Sequence, residues 1–304
     1  MSYAEHYAIA GTWNSSVARP RQVALSQCNT IGTDMNNSRE THRFFDLNVD
    51  DYEQKHYKSN SRTFMTVRQE RVLEFIDNVE MPPGAAVLDV GCGPGYLLEA
   101  LGARGFVLSA VDASKEMLSR ARERLQRFPN DQVADLRLGD IESLPFQDAV
   151  FDLVCSTGVI EYLAADEKAL SEMYRVLNPG GYLLLPVTNR LSPINCLDPL
   201  VEKLKRATWF REPFNWIWQR QGRRPLLARR FKVRKHWPKQ IARSLREAGF
   251  ELGDDIYFYF LPWPRPFDRL APKLSEKLSI KMERFGRSRL GVLGEGYLVL
   301  AKKG

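Results

Sequence analysis

Three glycines and three acids carry the strongest chemical signal in the chain. Val87-Leu88-Asp89-Val90-Gly91-Cys92-Gly93-Pro94-Gly95 is an apolar run holding an acid, then glycines at alternate positions, with helix-like sequence from Tyr96 onward. A strand feeding a glycine loop and a helix makes a nucleotide-sized pocket. The glycines let the backbone turn tightly and approach a ligand. The helix N-terminus behind them presents free N–H groups and a partial positive charge. The dinucleotide pattern G-x-G-x-x-G is not met, because its third glycine slot holds Tyr96. No Gly-Lys-Ser/Thr follows, and the loop has no Lys or Arg to meet a pyrophosphate, which Asp89 would repel. Asp89 suits a cationic amino group. The implied ligand has an ammonium end, a ribose and an adenine-like base.

These residues need strands and helices to hold them. Ala85–Val90, Phe106–Val111, Val133–Leu138, Phe151–Ser156, Tyr182–Val187, Glu251–Phe260 and Gly296–Ala301 read as strands. Val72, Phe75, Ile76 and Val79 fall on one helical face, and Tyr96–Arg104, a helix capped by Ser114, Asp166–Leu177 and Trp237–Ala248 read as further helices. Pro272–Phe285 reads as a last helix with Leu274, Leu278, Met282 and Phe285 as its apolar stripe. Strands alternating with helices at this spacing give parallel βαβ units. The fold class is therefore α/β, doubly wound around a mostly parallel seven-stranded sheet. Asp112 and Asp140 then stand just past the second and third strands.

The chain is long enough for one large domain with additions, at 304 residues. No run of 18 apolar residues is present, and the N-terminus lacks a basic segment followed by an apolar one. Four scattered cysteines without a CxxC pair point away from a disulfide framework or a zinc site and toward a reducing cytosol. Charge is unevenly placed. Residues 190–247 hold 16 Lys/Arg and 4 Asp/Glu, a net of +12 that leaves −5 for the rest of a chain carrying +7. Residues 1–43 are polar and aperiodic and read as a flexible segment. Residues 44–189 read as the core with an N-terminal cap, 190–235 as a basic, Trp-rich helical insertion after the fifth strand, and 236–304 as the core's completion.

Five motifs in order resemble the class I S-adenosylmethionine (SAM) dependent methyltransferases. They are Val87–Gly95, Asp112, Gly139-Asp140-Ile141, Leu144-Pro145-Phe146 through Phe151-Asp152-Leu153-Val154, and Leu177-Asn178-Pro179-Gly180-Gly181. The similarity runs over roughly 72–188. It implies a Rossmann-like methyltransferase fold with SAM as cofactor. It also implies that Asp89, Gly91, Cys92, Gly93, Gly95, Asp112, Ala113, Asp140, Ile141 and Thr157 line the cofactor site. In that reading the Gly91–Gly95 amides meet the methionine carboxylate, as anions do at a helix N-terminus. Asp112 offers two acceptors to the ribose hydroxyls, Asp140 accepts from the adenine amino group, and Ala113 and Ile141 sandwich the ring. The plainer readings are a loop-orienting Asp89, a helix-capping Asp112, an Asp140 serving its own turn and a Cys92 that fills space.

The acceptor side is read from two stretches. Val159-Ile160-Glu161-Tyr162 resembles the Val-Leu-Glu-His run of the quinone O-methyltransferases, with Tyr162 in place of the histidine. Glu161 and His236 are the candidates for a base. Tyr162, Trp209, Trp216 and Trp218 are the candidates for substrate contact. Trp and Phe among Arg and Lys in the insertion suit a lid over a bulky apolar or anionic small molecule, or an anionic membrane surface. A packed helical cap with solvated arginines is the plain alternative. Nucleic acid is not the expected partner, because no RNA-binding module or Asn/Asp-Pro-Pro-Tyr-type motif is present. The expectation is a cytoplasmic small-molecule methyltransferase, O-directed, with peripheral contact at the membrane. An RNA methyltransferase and a non-catalytic binding subunit of the same fold are the alternatives.

Overall fold

The computed structural model describes residues 44–58, 62–129, 132–220 and 233–304. The expectation for 1–43 and the part of the insertion at 221–232 lie outside them. The first helices are α1 (Val49–His56) and α2 (Phe64–Asp77), and α2 starts at a reciprocal cap. The Thr66 N–H donates to Thr63 Oγ1 at 3.2 Å while the Thr63 N–H donates to Thr66 Oγ1 at 2.9 Å. Then come β1 (Ala86–Val90), α3 (Tyr96–Gly102), β2 (Val107–Asp112), α4 (Lys115–Leu125), β3 (Val133–Leu138) and β4 (Phe151–Ser156). A 3₁₀ turn at Ile160–Tyr162 leads to α5 (Glu167–Val176) and β5 (Leu177–Thr188). Helices α6 (Pro193–Arg206) and α7 (Thr208–Arg220) follow β5. The chain closes with α8 (Pro238–Glu247), β6 (Phe250–Phe258), α9 (Pro272–Met282) and β7 (Gly296–Lys303).

The strands form one seven-stranded sheet in the order β3-β2-β1-β4-β5-β7-β6. The five strands from β3 to β5 are parallel, and β7 runs antiparallel between β5 and β6. Side chains alternate across the sheet, so neighbouring residues serve different cores. Val87, Leu108, Leu153 and Leu184 face Val72, Phe75, Leu98 and Leu118 of α2, α3 and α4. Leu88, Val111, Val154 and Leu183 face Leu170, Met173, Ile241 and Leu245 of α5 and α8. Each is fully enclosed, and truncating such a leucine to alanine costs about 2–5 kcal/mol. The order places the β1 and β4 ends side by side at the point where the winding reverses, where doubly wound sheets bind ligands.

Three expectations are corrected. The strand expected at Tyr182–Val187 begins at Leu177, because Asn178–Gly181 bulge out between the Phe151–Leu177 and Leu153–Tyr182 pairs. Gly180 takes the left-handed conformation there (φ +79°), and Asn178 Nδ2 donates to Asp152 Oδ1 at 2.8 Å. Helix α9 stops at Met282, and its buried face carries Ser275 and Ser279 while Leu274 points outward. Trp237, expected as the first residue of the helix over Trp237–Ala248, precedes α8 and is half-exposed beneath the Arg190 guanidinium at 5.4 Å.

Candidate active site

Gly91, Gly93 and Gly95 all have positive φ, +72°, +52° and +81°. Each is needed for a different reason. A Cβ at Gly91 would collide with Val159, and one at Gly95 would press on Ala121 at 3.0 Å. At Gly93 nothing lies within 4 Å, so this glycine faces the open side of the loop. The loop's amides are engaged internally. Gly91 and Cys92 donate to the Val111 carbonyl at 2.7 and 3.3 Å, Gly93 donates to Asp112 Oδ2 at 2.8 Å, and Gly95 donates to the Cys92 carbonyl at 3.1 Å. Pro94 has no N–H. The amides expected to meet a carboxylate hold the turn here, and other buried polar groups stand nearby.

Those groups lie beside the loop. Asp89 is 1% exposed, and neither of its carboxylate oxygens has a partner. Burial and then the charge of Asp112 push it up to about 7, with Arg68 opposing. Arg68, on α2, is 4% exposed and has an unpartnered Nη1. Its guanidinium lies against Gly158, where a Cβ would collide with it. Ser156 Oγ, at the end of β4, is likewise buried without a partner. A buried polar group left unpaired costs about 1–3 kcal/mol, more if charged. One carboxylate, one guanidinium N–H and one hydroxyl are thus held ready, which matches an amino acid's ammonium and carboxylate. The residues fit the methionine end of SAM.

Asp112 ties the site together. Its Oδ2 accepts from Gly93, and its Oδ1 accepts from the Ser114 N–H at 2.9 Å. Asp112 thereby fixes the glycine loop and the start of α4 to the end of β2. Asp140 is exposed, and its Oδ1 accepts from the Glu142 N–H at 2.9 Å within its own turn. Ile141 is buried, while Ala113 and Thr157 are half-buried. The Cys92 thiol is pushed well up by burial and then by the charges of Asp112 and Asp89, so it fills space as a neutral group.

Sequence reasoning missed Arg68 and most of the roof. Arg68 stands four residues before Val72 on the apolar face of α2, and a cation there was the available signal. The segment 44–58 lies over the loop. Ser114 Oγ donates to Asp46 Oδ1 at 2.6 Å, Arg120 pairs with Asp50 at 2.6 Å, and Arg124 pairs with Glu53 at 2.8 Å. Tyr57 stacks on Tyr96 at 3.9 Å, with Arg124 on Tyr96 at 3.6 Å. Phe45 meets Tyr52 and Tyr162 edge-on at 5.8 and 5.5 Å. Burial first, and Tyr162 and Asp112 after it, push Tyr52 up to about 12 against Arg68. His56 is driven down to about 3 by burial and then by Lys55 and Arg68, so it is neutral and weakly basic.

The base candidates are both held by the protein. The Glu161 carboxylate accepts from the Thr188 N–H at 2.6 Å and from the Thr188 hydroxyl, which clasps the 3₁₀ turn to the end of β5. His236 is 3% exposed, with Nε2 3.3 Å from Asp166 Oδ1 and Nδ1 unpartnered. Arg234 also pairs with Asp166, at 3.0 Å, and donates from its backbone to the Glu161 carbonyl at 2.9 Å. Burial raises the Asp166 carboxyl, but His236 and Arg234 outweigh it and hold it below the usual range. Tyr162 is at the roof. Trp209 and Trp216, 71% and 56% exposed, point outward from α7 and are not gathered with the loop. The side chain of Trp218 lies outside the described residues.

Comparison with known proteins agrees with this geometry. Residues 88–185 match the family model of a methyltransferase domain. A malonyl-[acyl-carrier protein] O-methyltransferase from Erwinia billingiae is 42% identical over 102 residues, covering 33% of this chain and 38% of that protein. A demethylmenaquinone methyltransferase from Symbiobacterium thermophilum is 39% identical over 112 residues, covering 36% of this chain and 44% of that one. The chain thus matches less than half the length of these curated relatives. A SAM-dependent methyltransferase structure from Thermotoga maritima, titled a possible histamine N-methyltransferase, shares the fold. Its TM-score is 0.54 at 20% identity, over 86% of this chain and 99% of that one.

Proposed function

We propose that the chain, whose residues 88–185 match a methyltransferase-domain model, transfers a methyl group from SAM to a hydroxyl of a bulky apolar or anionic small molecule. One observation carries this reading: the unpaired, buried carboxylate of Asp89 and the unused N–H of Arg68 stand beside the open side of the glycine loop. Asp89 faces the ammonium, Arg68 and Ser156 meet the carboxylate, and Asp112 takes the ribose. When bound, SAM supplies an electrophilic methyl carbon on a sulfonium. The protein's part is alignment and exclusion of water. The roof formed by 44–58 covers the loop, and Glu161 fixes the 3₁₀ turn beside it.

His236 is the proton acceptor in this reading. With its N–H at Nε2 facing Asp166, Nδ1 keeps a lone pair and takes the proton of the attacking hydroxyl. The O-directed acceptor draws on the Erwinia relative's printed activity, and the apolar class on the demethylmenaquinone enzyme's. The test incubates the chain with SAM and candidate hydroxyl compounds and seeks products heavier by one CH2. His236→Ala should lower kcat by about 10²–10⁴ while leaving SAM affinity unchanged. An unaltered kcat would remove His236 as the base. Retention on RNA that falls steeply with salt, without methylated small molecules, would turn the reading toward RNA.

A further inference from the structure

The insertion departs from the ordinary pattern of surface helices, which turn apolar side chains inward. On α7, Trp209, Pro213, Trp216 and Arg220 recur at helical spacing and are all exposed. The inward residues Phe210 and Phe214 already meet Phe267, with ring centroids 6.4 and 5.6 Å apart. The tryptophans are therefore surplus to the packing of this helix. On the adjoining α6, Leu197 and Leu200 are exposed at a spacing of three, and Leu274 and Ile280 of α9 are exposed as well. Phe267, itself partly exposed, links the α7 side of this region to α9.

Cations stand among these apolar groups. Lys203 and Arg206 close α6, and Lys273, Lys277 and Lys281 run along α9. All five are exposed, and none has an ion-pair partner among the described residues. Lys205 and Arg211 nearby are matched by Glu202 and Glu212, so the unpaired charge is specific to the outward positions. Exposed indole and leucine surface rimmed by unpaired lysine and arginine is the composition of a helix that lies in a lipid interface. Exposed apolar side chains on the adjoining helices α6 and α7 point to an interaction site.

We infer that the outward faces of α6, α7 and α9 dock on an anionic lipid bilayer. The tryptophans enter the headgroup region and the cations meet the lipid charge. Among the described residues no helix is long and apolar enough to cross a membrane, so the contact is one of lying on the surface. The insertion leaves the sheet at the carboxyl end of β5, which, with these strands parallel, is also the end that carries the glycine loop of β1. The docking does not depend on the transfer proposed above.

The full chain is mixed with phosphatidylcholine vesicles with or without 30% phosphatidylglycerol, and pelleting and tryptophan emission are read at low and high salt. The anionic vesicles should retain the chain, shift its emission to shorter wavelength and release it at least tenfold as salt rises. Neutral vesicles should not retain it. Trp209→Ala/Trp216→Ala should keep the circular dichroism of the wild type and bind the anionic vesicles at least tenfold more weakly. Lys273→Glu/Lys277→Glu/Lys281→Glu should do the same by losing the salt-sensitive part. Equal recovery with neutral vesicles, no recovery with anionic ones, or unchanged binding by both folded variants would each overturn the inference. So would retention by RNA in place of vesicles.

Discussion

At the glycine loop, charged side chains are buried among apolar ones, whereas on α6, α7 and α9 apolar side chains are exposed among charged ones. Asp89 and Arg68 are almost fully enclosed, yet Asp89 lacks any hydrogen-bond partner and Arg68 keeps an unused Nη1. Trp209 and Trp216 are open to solvent, although Phe210 and Phe214 beside them pack inward. Each region departs from the usual burial of apolar groups and pairing of buried polar ones, in opposite directions. Such breaks collect where a partner supplies what the fold lacks. In the readings proposed above, a small charged ligand relieves the first, and a large anionic surface relieves the second.

The largest expected effect separates the two by pH. Asp89 in the ligand-free chain is pushed up to about 7, so it is protonated below that value and ionised above it. Only the ionised form attracts the ammonium of SAM. Affinity should therefore rise toward about 7 and flatten above it, by up to tenfold per pH unit for one linked proton. Asp89→Asn should remove that slope. By the same linkage, the ligand-free chain loses stability as pH rises from the ordinary carboxylate range to about 7. Vesicle binding should show no such step.

A smaller effect is expected at Arg68. Arg68→Leu removes one charge-assisted hydrogen bond, about 2 kcal/mol or roughly 30-fold in SAM affinity. Trp209→Ala/Trp216→Ala should leave that affinity unchanged, and a matching loss would erase the distinction between the regions. Smallest is Ser114→Ala, which removes the α4 cap on Met117 and the tie to Asp46 of the roof. It should cost about 1 kcal/mol in thermal or denaturant unfolding.

The parts of the molecule that were legible in the sequence are those set by local chemistry. Val87–Gly95 shows its loop because three left-handed positions demand glycine, and Asp112 shows itself because it ends a buried strand. Sheet and helix faces follow from periodicity. The roof is harder to read, since it rests on contacts such as Arg120 with Asp50 and Arg124 with Glu53, about seventy residues apart. Its aromatics follow no period of their own. Helix α9 offers two faces, one with Ser275 and Ser279 and one with Leu274, and only the neighbouring chain decides which turns inward. The internal bonds of the loop amides are hard to read for a related reason. A tight turn needs internal hydrogen bonds, and Val111, Cys92 and Asp112 accept them before any ligand does.

The most direct test of the site is calorimetric titration of SAM into the wild-type chain and into Asp112→Ala at a pH above 7. Asp112 ends β2 and accepts from the loop at Gly93 and from Ser114, which puts its carboxylate beside the proposed site. The wild type should bind one SAM per chain, and Asp112→Ala should bind it at least tenfold more weakly. Absence of binding by the folded wild type, or equal affinity in the variant, would contradict the assignment of this loop as a SAM site.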